Sequence, residues 1–231
     1  MNPRVLYRAA SYATDARAAA DSVISALTPA AWYRNATGVT ESGGFASQWD
    51  DYSGNGRHLV QATGTNQPAY SAGVLTFDGV DNFMQVVFAQ SQPWSVYLVM
   101  EQSSWTGGNR FIGGGTDLKT EIIQSNASPE LYIYAGGDTT ASNNNLALGS
   151  YGIVCAVYNG ASSSLRVNNT AKTTGNPGAV APGGITLGCR GGVMSSFGDG
   201  SFKEVVCFSA AHDDATQSSV ITSLNNALTV F

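Results

Sequence analysis

A chain of 231 residues with 43% hydrophobic and 12% charged residues can build one sizeable core and is too poor in charge to be disordered. Its formal net charge of -5, from 11 Lys and Arg against 16 Asp and Glu, excludes a nucleic-acid surface, which needs clustered cations. The 27 glycines, set among many Ser, Thr and Asn, indicate short strands joined by turns, with a surface suited to neutral hydroxylated partners or permanent protein neighbours.

The first thirty residues stand apart. Thr14 to Leu27 is Ala-rich, with Val23, Ile24 and Leu27 at helical spacing, and Thr28-Pro29 stops the helix. So narrow an apolar face gives little independent stability, so the helix must lie on its own domain or on a neighbour. Arg4, Tyr7, Arg8 and Tyr12 are the residues expected at a subunit contact, because Arg and Tyr carry much of the energy of small interfaces. Packing as a simple intramolecular cap is the alternative. Asp15, Arg17 and Asp21 interrupt the alanines, so no secretory h-region is visible, and no run reaches transmembrane length. The expectation is synthesis in a cytoplasm without a signal peptide and without membrane insertion.

From Ala31 to Phe208 the pattern changes to strands: Phe83 to Phe88, Trp94 to Met100, Leu131 to Ala135, Tyr151 to Tyr158, Ser164 to Val167 and Phe202 to Phe208. Val96 to Met100 is apolar throughout, as in a central strand covered on both faces. Leu131 and Ile133 alternate with Tyr132 and Tyr134, which places the tyrosines on the opposite face. The most specific signal is Gln48-Trp49-Asp50-Asp51-Tyr52-Ser53-Gly54-Asn55-Gly56-Arg57-His58, answered by Phe77-Asp78-Gly79-Val80-Asp81. Ser53 to Gly56 reads as a tight turn, with Asn55-Gly56 supplying the positive φ angles of a two-residue hairpin. Trp49 opens that turn and should pin it to the sheet.

Cys155, Cys189 and Cys207 each sit in an apolar run and read as buried free thiols, with one disulfide and an orphan thiol as the alternative. No spacing among them suggests a metal. Asp213 to Leu228 reads as a helix: Asp214 can cap it with Gln217 in the box position, and Val220, Ile221, Leu224 and Leu228 line its buried face. His212, just before the cap, is expected to be exposed.

The pattern W-x-D-x-S-G-N-G-x-H, then Gln67-Pro68, then F-D-G-x-x-D, resembles the laminin-G-like branch of the concanavalin A-like lectin/glucanase superfamily. Glu204-Val205-Val206, leading through a strand and a polar turn into a terminal helix, resembles that family's closing segment. The resemblance runs from about Ala31 to Leu228. It implies an all-β, two-sheet antiparallel β-sandwich of jelly-roll type with short N- and C-terminal helices. Residues 1–30 are then a helical extension for attachment, and residues 31–231 the sandwich.

Chemistry is sparse in the sequence. Glucanases of that superfamily place carboxylates at alternate positions of one strand, so that both side chains enter one cleft. Here Glu101, Glu121, Glu130 and Glu204 are isolated, and Asp50-Asp51 face opposite ways, so hydrolase activity is expected to be absent. His58 falls where the family motif also carries a histidine, which implies a structural hydrogen bond. No G-x-S-x-G elbow occurs, and Gly113-Gly114-Gly115 and Gly188 to Gly192 read as turns. Asp78, Asp81 and Asp199 offer the hard oxygens calcium needs, against the alternative that they cap their own turns. Calcium is the one cofactor left open. A glycan platform could form from Trp105, Asn109, Tyr132, Tyr134 and Asn144, since aromatic faces and amides meet sugar rings and hydroxyls.

The resemblance and the absence of paired carboxylates imply a non-catalytic structural protein of a tailed-bacteriophage virion, either a head decoration or a tail or fibre component. Its partners would be copies of itself and other virion proteins. The alternative is a carbohydrate-binding, lectin-like module, such as a host-glycan receptor-binding protein with neutral glycans as partners.

Overall fold

A computed structural model describes the backbone of residues 3–116, 119–137 and 144–231, and the side chains of residues 14–116, 119–137 and 145–231. Two helices, α1 (Pro3–Ala26) and α2 (Asp214–Leu228), bracket seventeen strands among these residues. In chain order the first strands are β1 (Ala31–Tyr33), β2 (Val39–Ser42), β3 (Phe45–Trp49), β4 (Leu59–Val60), β5 (Ala69–Ser71), β6 (Val74–Asp78), β7 (Met84–Val87) and β8 (Trp94–Gln102). Then come β9 (Arg110–Gly113), β10 (Thr120–Gln124), β11 (Glu130–Ala135), β12 (Asn144–Asn145), β13 (Tyr151–Tyr158), β14 (Ser163–Val167), β15 (Thr173–Gly175), β16 (Gly184–Leu187) and β17 (Asp199–Phe208).

The strand pairings are antiparallel and form two layers. In the back layer β17 lies between β8 on one side and β6 and β1 on the other, and β8 continues through β13 and β14 to β15. In the front layer β4, β7, β16, β9, β10, β11 and β12 follow one another, and β3 joins β4 to β2 and β5. The expected two-sheet sandwich is the observed one.

The side-chain period of two explains both cores. Val96, Leu98 and Met100 of β8 point between the sheets, where they meet Ile122, Leu131, Ile133, Val154, Ala156, Leu187 and Val205. Tyr97 and Val99 point the other way, into a second core with Ile153, Val206, Ile24, Val220, Ile221 and Leu224, roofed by the two helices. A strand apolar at every position is therefore buried on both faces, as its sequence suggested.

Helix α1 begins well before Thr14. Arg4, Tyr7, Arg8 and Tyr12 fall within it, but their side chains lie outside the described residues. Its C-terminal part rests on its own sandwich, with Ala20 and Ile24 buried, and Leu27 just beyond it packs against the same core.

Helix α2 is capped one residue earlier than the sequence suggested. The Asp213 carboxylate accepts from the Thr216 N–H at 2.8 Å, while the Gln217 amide donates to the His212 carbonyl at 2.8 Å. His212 is consequently buried rather than exposed: its Nδ1 sits 2.8 Å from the Tyr97 hydroxyl, and its ring packs on Phe208. The three cysteines are free and buried, and burial pushes each thiol up to about 12.

The Ser53 to Gly56 segment is not a two-residue hairpin. Residues 50–58 join β3 to β4, and positive φ occurs at Gly54 and Gly56, not at Asn55. The loop is instead tied together by Asp51. Its carboxylate accepts from the N–H groups of Trp32, Ser53 and Arg57 and from the Ser53 hydroxyl, at 2.8–3.0 Å. The Asn55 amide donates to the Pro29 and Ala30 carbonyls, which fastens the loop to the end of the N-terminal segment.

Candidate functional site

The outer face of the front sheet carries the densest chemistry. Residues that pair across neighbouring strands share a face, so Arg110 of β9, Ile123 of β10 and Tyr132 of β11 form one row. Glu121 and Tyr134 form the next. The residues between them, Ile122, Leu131 and Ile133, fill the core behind the sheet.

Glu121 is the focus. Its side chain is 0% exposed, with Arg110 Nε 3.3 Å from Oε2 and Arg190 Nε 3.0 Å from Oε1. Arg110 is steadied by a second hydrogen bond, to the Gly108 carbonyl. Arg190 arrives from the loop after β16, which turns back on itself where the Arg190 N–H donates to the Ser195 carbonyl at 2.9 Å. Gly188, at φ 88°, starts this loop with the Phe77 ring against its α-carbon, so a side chain there would meet the ring.

Burial pushes the Glu121 carboxyl up, while Arg110 and then Arg190 pull it down. Burial prevails, and the group sits above the ordinary glutamate value. Burial likewise raises the half-buried Tyr132 phenol, with Arg110 opposing. A carboxyl with a raised pKa holds its proton to higher pH than an ordinary glutamate and can donate it.

The loop before β9 is pinned beside this row. Thr106 N–H donates to Gln124 Oε1, Gly108 N–H to the Gln124 carbonyl, and the Gln124 amide to the Ser104 carbonyl, at 2.8–3.1 Å. That brings half-buried Trp105 and Asn109 to the Arg110 end of the face. Of the five residues predicted for glycan contact, Trp105 and Asn109 lie in the loop before β9 and Tyr132 and Tyr134 on β11. Asn144 pairs its backbone with Leu131 at the sheet edge, and its side chain lies outside the described residues. Sequence reasoning counted Glu121 as isolated and overlooked both arginines, because Arg190 is 69 residues away along the chain yet adjacent in space.

The other candidate residues are occupied in turns. Asp78 Oδ1 accepts from the Val80 and Asp81 N–H groups, at 2.9 and 3.4 Å, and the Asn82 amide reaches Asp81. Asp199 pairs its backbone with Asp78. No group of three His, Cys, Asp or Glu side chains is placed to hold a metal among the described residues. His58 Nδ1 accepts from the Asp51 N–H at 3.2 Å and lies 3.1 Å from Asp50, a bracing position within the loop. Beside that loop is a cavity of about 420 Å³ bordered by Ser25, Thr28, Tyr52, Asn55 and Arg57. It has no carboxylate in its lining and so no acid to offer.

No family model matches the chain, and neither does any curated protein. Solved structures do. Trypanosoma rangeli sialidase in complex with sialic acid superposes with a TM-score of 0.65 at 11% identity, over 95% of this chain and 39% of the sialidase. A GH54 α-L-arabinofuranosidase soaked with a cyclic sulfate inhibitor gives 0.60 at 17% identity, over 79% of this chain and 51% of the enzyme. An arabinofuranosidase complexed with arabinofuranosyl-α-1,2-xylobiose gives 0.59, also at 17% identity. The chain spans about two fifths of the sialidase and half of the arabinofuranosidase. These neighbours overturn the expectation of a non-catalytic bacteriophage structural protein, and with it the expectation that the chain is no enzyme. The solved structures named here that share its architecture are glycosidases, and none of them is a virion component. The chain is a two-sheet antiparallel β-sandwich of the kind found in such glycosidases.

Proposed function

We propose that this sandwich belongs to a carbohydrate-active enzyme and that the outer face of its front sheet acts on a glycoside, with Glu121 as the proton donor. The observation that carries the reading is the buried Glu121 carboxyl, held above its ordinary pKa at the centre of an Arg110, Arg190 and Tyr132 cluster. The sialidase and arabinofuranosidase neighbours lend support.

In this reading a sugar lies along Tyr132 and Tyr134, and the Glu121 carboxyl, fully buried beside Arg110 and Arg190 in the free chain, must be uncovered for the glycosidic oxygen to reach it. Transfer of the Glu121 proton to that oxygen lets the C–O bond break, and the positive charge left at the anomeric carbon spreads onto the ring oxygen. Water then adds to that carbon and returns its proton to the Glu121 carboxylate. Bonds and protons balance over the cycle, and one carboxyl serves both halves.

The test is turnover of 4-nitrophenyl α-L-arabinofuranoside and of a fluorogenic sialoside by the purified chain and by Glu121→Gln. General acid catalysis contributes about 10²–10⁴-fold, so the variant should lose at least about a hundredfold. No turnover of either substrate, or turnover that survives the substitution, overturns the reading.

A further inference from the structure

The cavity beside the loop from β3 to β4 shares no residue with the Glu121 cluster, and Arg57 borders it. Its volume of about 420 Å³ falls in the range of small-molecule sites, about 300–1,000 Å³. Among the arginines whose side chains are described, Arg17, Arg34, Arg110, Arg166 and Arg190 each have a carboxylate at 2.5–3.4 Å. Arg57 alone among them forms no ion pair. In a chain with 16 Asp and Glu against 11 Lys and Arg, an arginine left without an acid is the exception.

Arg57 is fixed in place without being neutralised. Its Nη1 donates to the Ala30 carbonyl at 2.8 Å, and the guanidinium lies over the Phe88 ring, 4.3 Å from the centroid. Asp51, the buried carboxylate of the same loop, accepts the Arg57 main-chain N–H and not the guanidinium. Its oxygens are also taken by the Trp32 and Ser53 N–H groups and the Ser53 hydroxyl. A guanidinium has five N–H donors, so the Nε–Nη2 edge of Arg57 stays available as a two-pronged fork. The end of α1 presents no open carbonyls against an anion here. Those of Ile24, Ser25 and Leu27 accept from the Leu27 N–H, the Thr28 N–H and the Thr28 hydroxyl, at 2.8–3.2 Å. The exposed Ser25 hydroxyl has no partner among the described residues. Tyr52 adds an aromatic wall, 50% exposed and set edge-on against Trp32 at 5.1 Å.

We propose that this cavity binds a small phosphate monoester, with two phosphoryl oxygens on the Arg57 fork, the third toward Ser25 and the organic group against Tyr52. A phosphate fits these groups better than a carboxylate does. It offers three acceptor oxygens, one more than the fork engages, and about two negative charges where the lining supplies no acid. A neutral ligand would leave the charge of Arg57 unanswered. The occupant is a small molecule and not a nucleic-acid backbone, because one cation in a chain of net charge -5 cannot track a polyanion. The site stands apart from the glycoside chemistry proposed for Glu121 and does not depend on it.

The experiment titrates phenyl phosphate, benzoate and benzyl alcohol into the full chain and follows its amide NMR signals. Phenyl phosphate should bind about tenfold more tightly than benzoate, and benzyl alcohol more weakly still, with the margins shrinking as salt is added. The signals that move should be those of the cavity, Ser25, Tyr52, Arg57 and Ser209 among them. Arg57→Gln should abolish the phosphate preference, and Arg57→Lys should keep part of it. Tyr52→Ala should bring phenyl phosphate down to the level of inorganic phosphate. Arg57 also ties down Ala30, so Ser25→Ala, at an exposed position, serves as the second variant. It should weaken phenyl phosphate by about threefold and leave benzoate unchanged. Glu121→Gln should leave phenyl phosphate binding as it is, which keeps this test separate from that of turnover. Equal binding of the three probes, binding of none, movement of signals remote from the cavity, or a preference that survives both Arg57→Gln and Ser25→Ala overturns the proposal.

Discussion

Arg17 grips Glu204 with both ends of its guanidinium: Nη1 lies 2.7 Å from Oε2 and Nη2 3.2 Å from Oε1. The contact joins α1 to the outer face of β17. Glu204 is 0% exposed and also accepts from the Trp32 indole N–H at 2.7 Å and from the Asn35 N–H at 3.3 Å. Asp21 continues the network by pairing with Arg17 and Arg34. A buried carboxylate stripped of its cation is strongly destabilising, so Arg17→Ala should lower stability by about 3 kcal/mol, the low end for a buried pair. Denaturant unfolding of Arg17→Ala and Arg17→Lys checks this. The lysine variant should recover only part, and an unchanged midpoint in the alanine variant would show that α1 is not anchored here.

Asp51 should be as important to the loop between β3 and β4. Burial pushes its carboxyl up, but the Ser53 hydroxyl and the N–H groups of Trp32, Arg57 and Ser53 outweigh burial and hold it below the usual aspartate value. A depressed folded pKa means that its contribution is complete above the unfolded value of about 3.9 and is lost as pH falls through the folded value. Asp51→Ala should cost roughly 3 kcal/mol at neutral pH, as hydrogen bonds to a charged acceptor do. Its penalty, measured by urea titration at several pH values, should shrink in acid.

Trp49 should be a stability residue and not a sugar contact. Its ring is fully buried, tilted against Tyr33 at 5.8 Å, and its indole N–H donates to the Arg34 carbonyl at 3.2 Å. Trp49→Ala should cost about 3–5 kcal/mol in thermal or denaturant unfolding. A normal melting temperature combined with lost sugar binding would contradict the assignment.

His212 links stability to mildly acidic pH. Burial holds its imidazole below the ordinary histidine value, with Asp213 opposing, and the Tyr97 hydroxyl meets Nδ1. Below the unfolded pKa of about 6.5 the unfolded chain therefore binds more protons than the folded one, and stability falls as pH drops from there toward the lowered folded value. His212→Gln, which keeps a hydrogen-bonding partner for Tyr97, should flatten that slope in urea titrations below about pH 6.5. An unchanged slope would assign it to another group.

The sandwich was legible because period-two alternation is local: Leu131 and Ile133 against Tyr132 and Tyr134 declare their faces without any partner strand. Trp49, Asp51 and His58 were legible as a unit because they act within ten residues of one another, although the loop closes through Asp51 and not through a two-residue turn. The burial of His212 was hidden, since the residues that cover it, Tyr97 and Ser95, lie on β8, more than a hundred positions upstream. The same holds for the site. Glu121 looks like an isolated acid until β9, β10 and the loop after β16 are folded together, and only that assembly places Arg110 and Arg190 on its carboxyl.

The most direct test of the account is the pH dependence of kcat/KM for 4-nitrophenyl α-L-arabinofuranoside and the fluorogenic sialoside between about pH 4 and 8, with wild type and Glu121→Gln side by side. If Glu121 is the proton donor, wild-type activity should fall as pH rises through a pKa above the ordinary glutamate value, and that falling limb should vanish with the substitution. An absence of turnover across the whole range, or a falling limb that persists unchanged in Glu121→Gln, would contradict it.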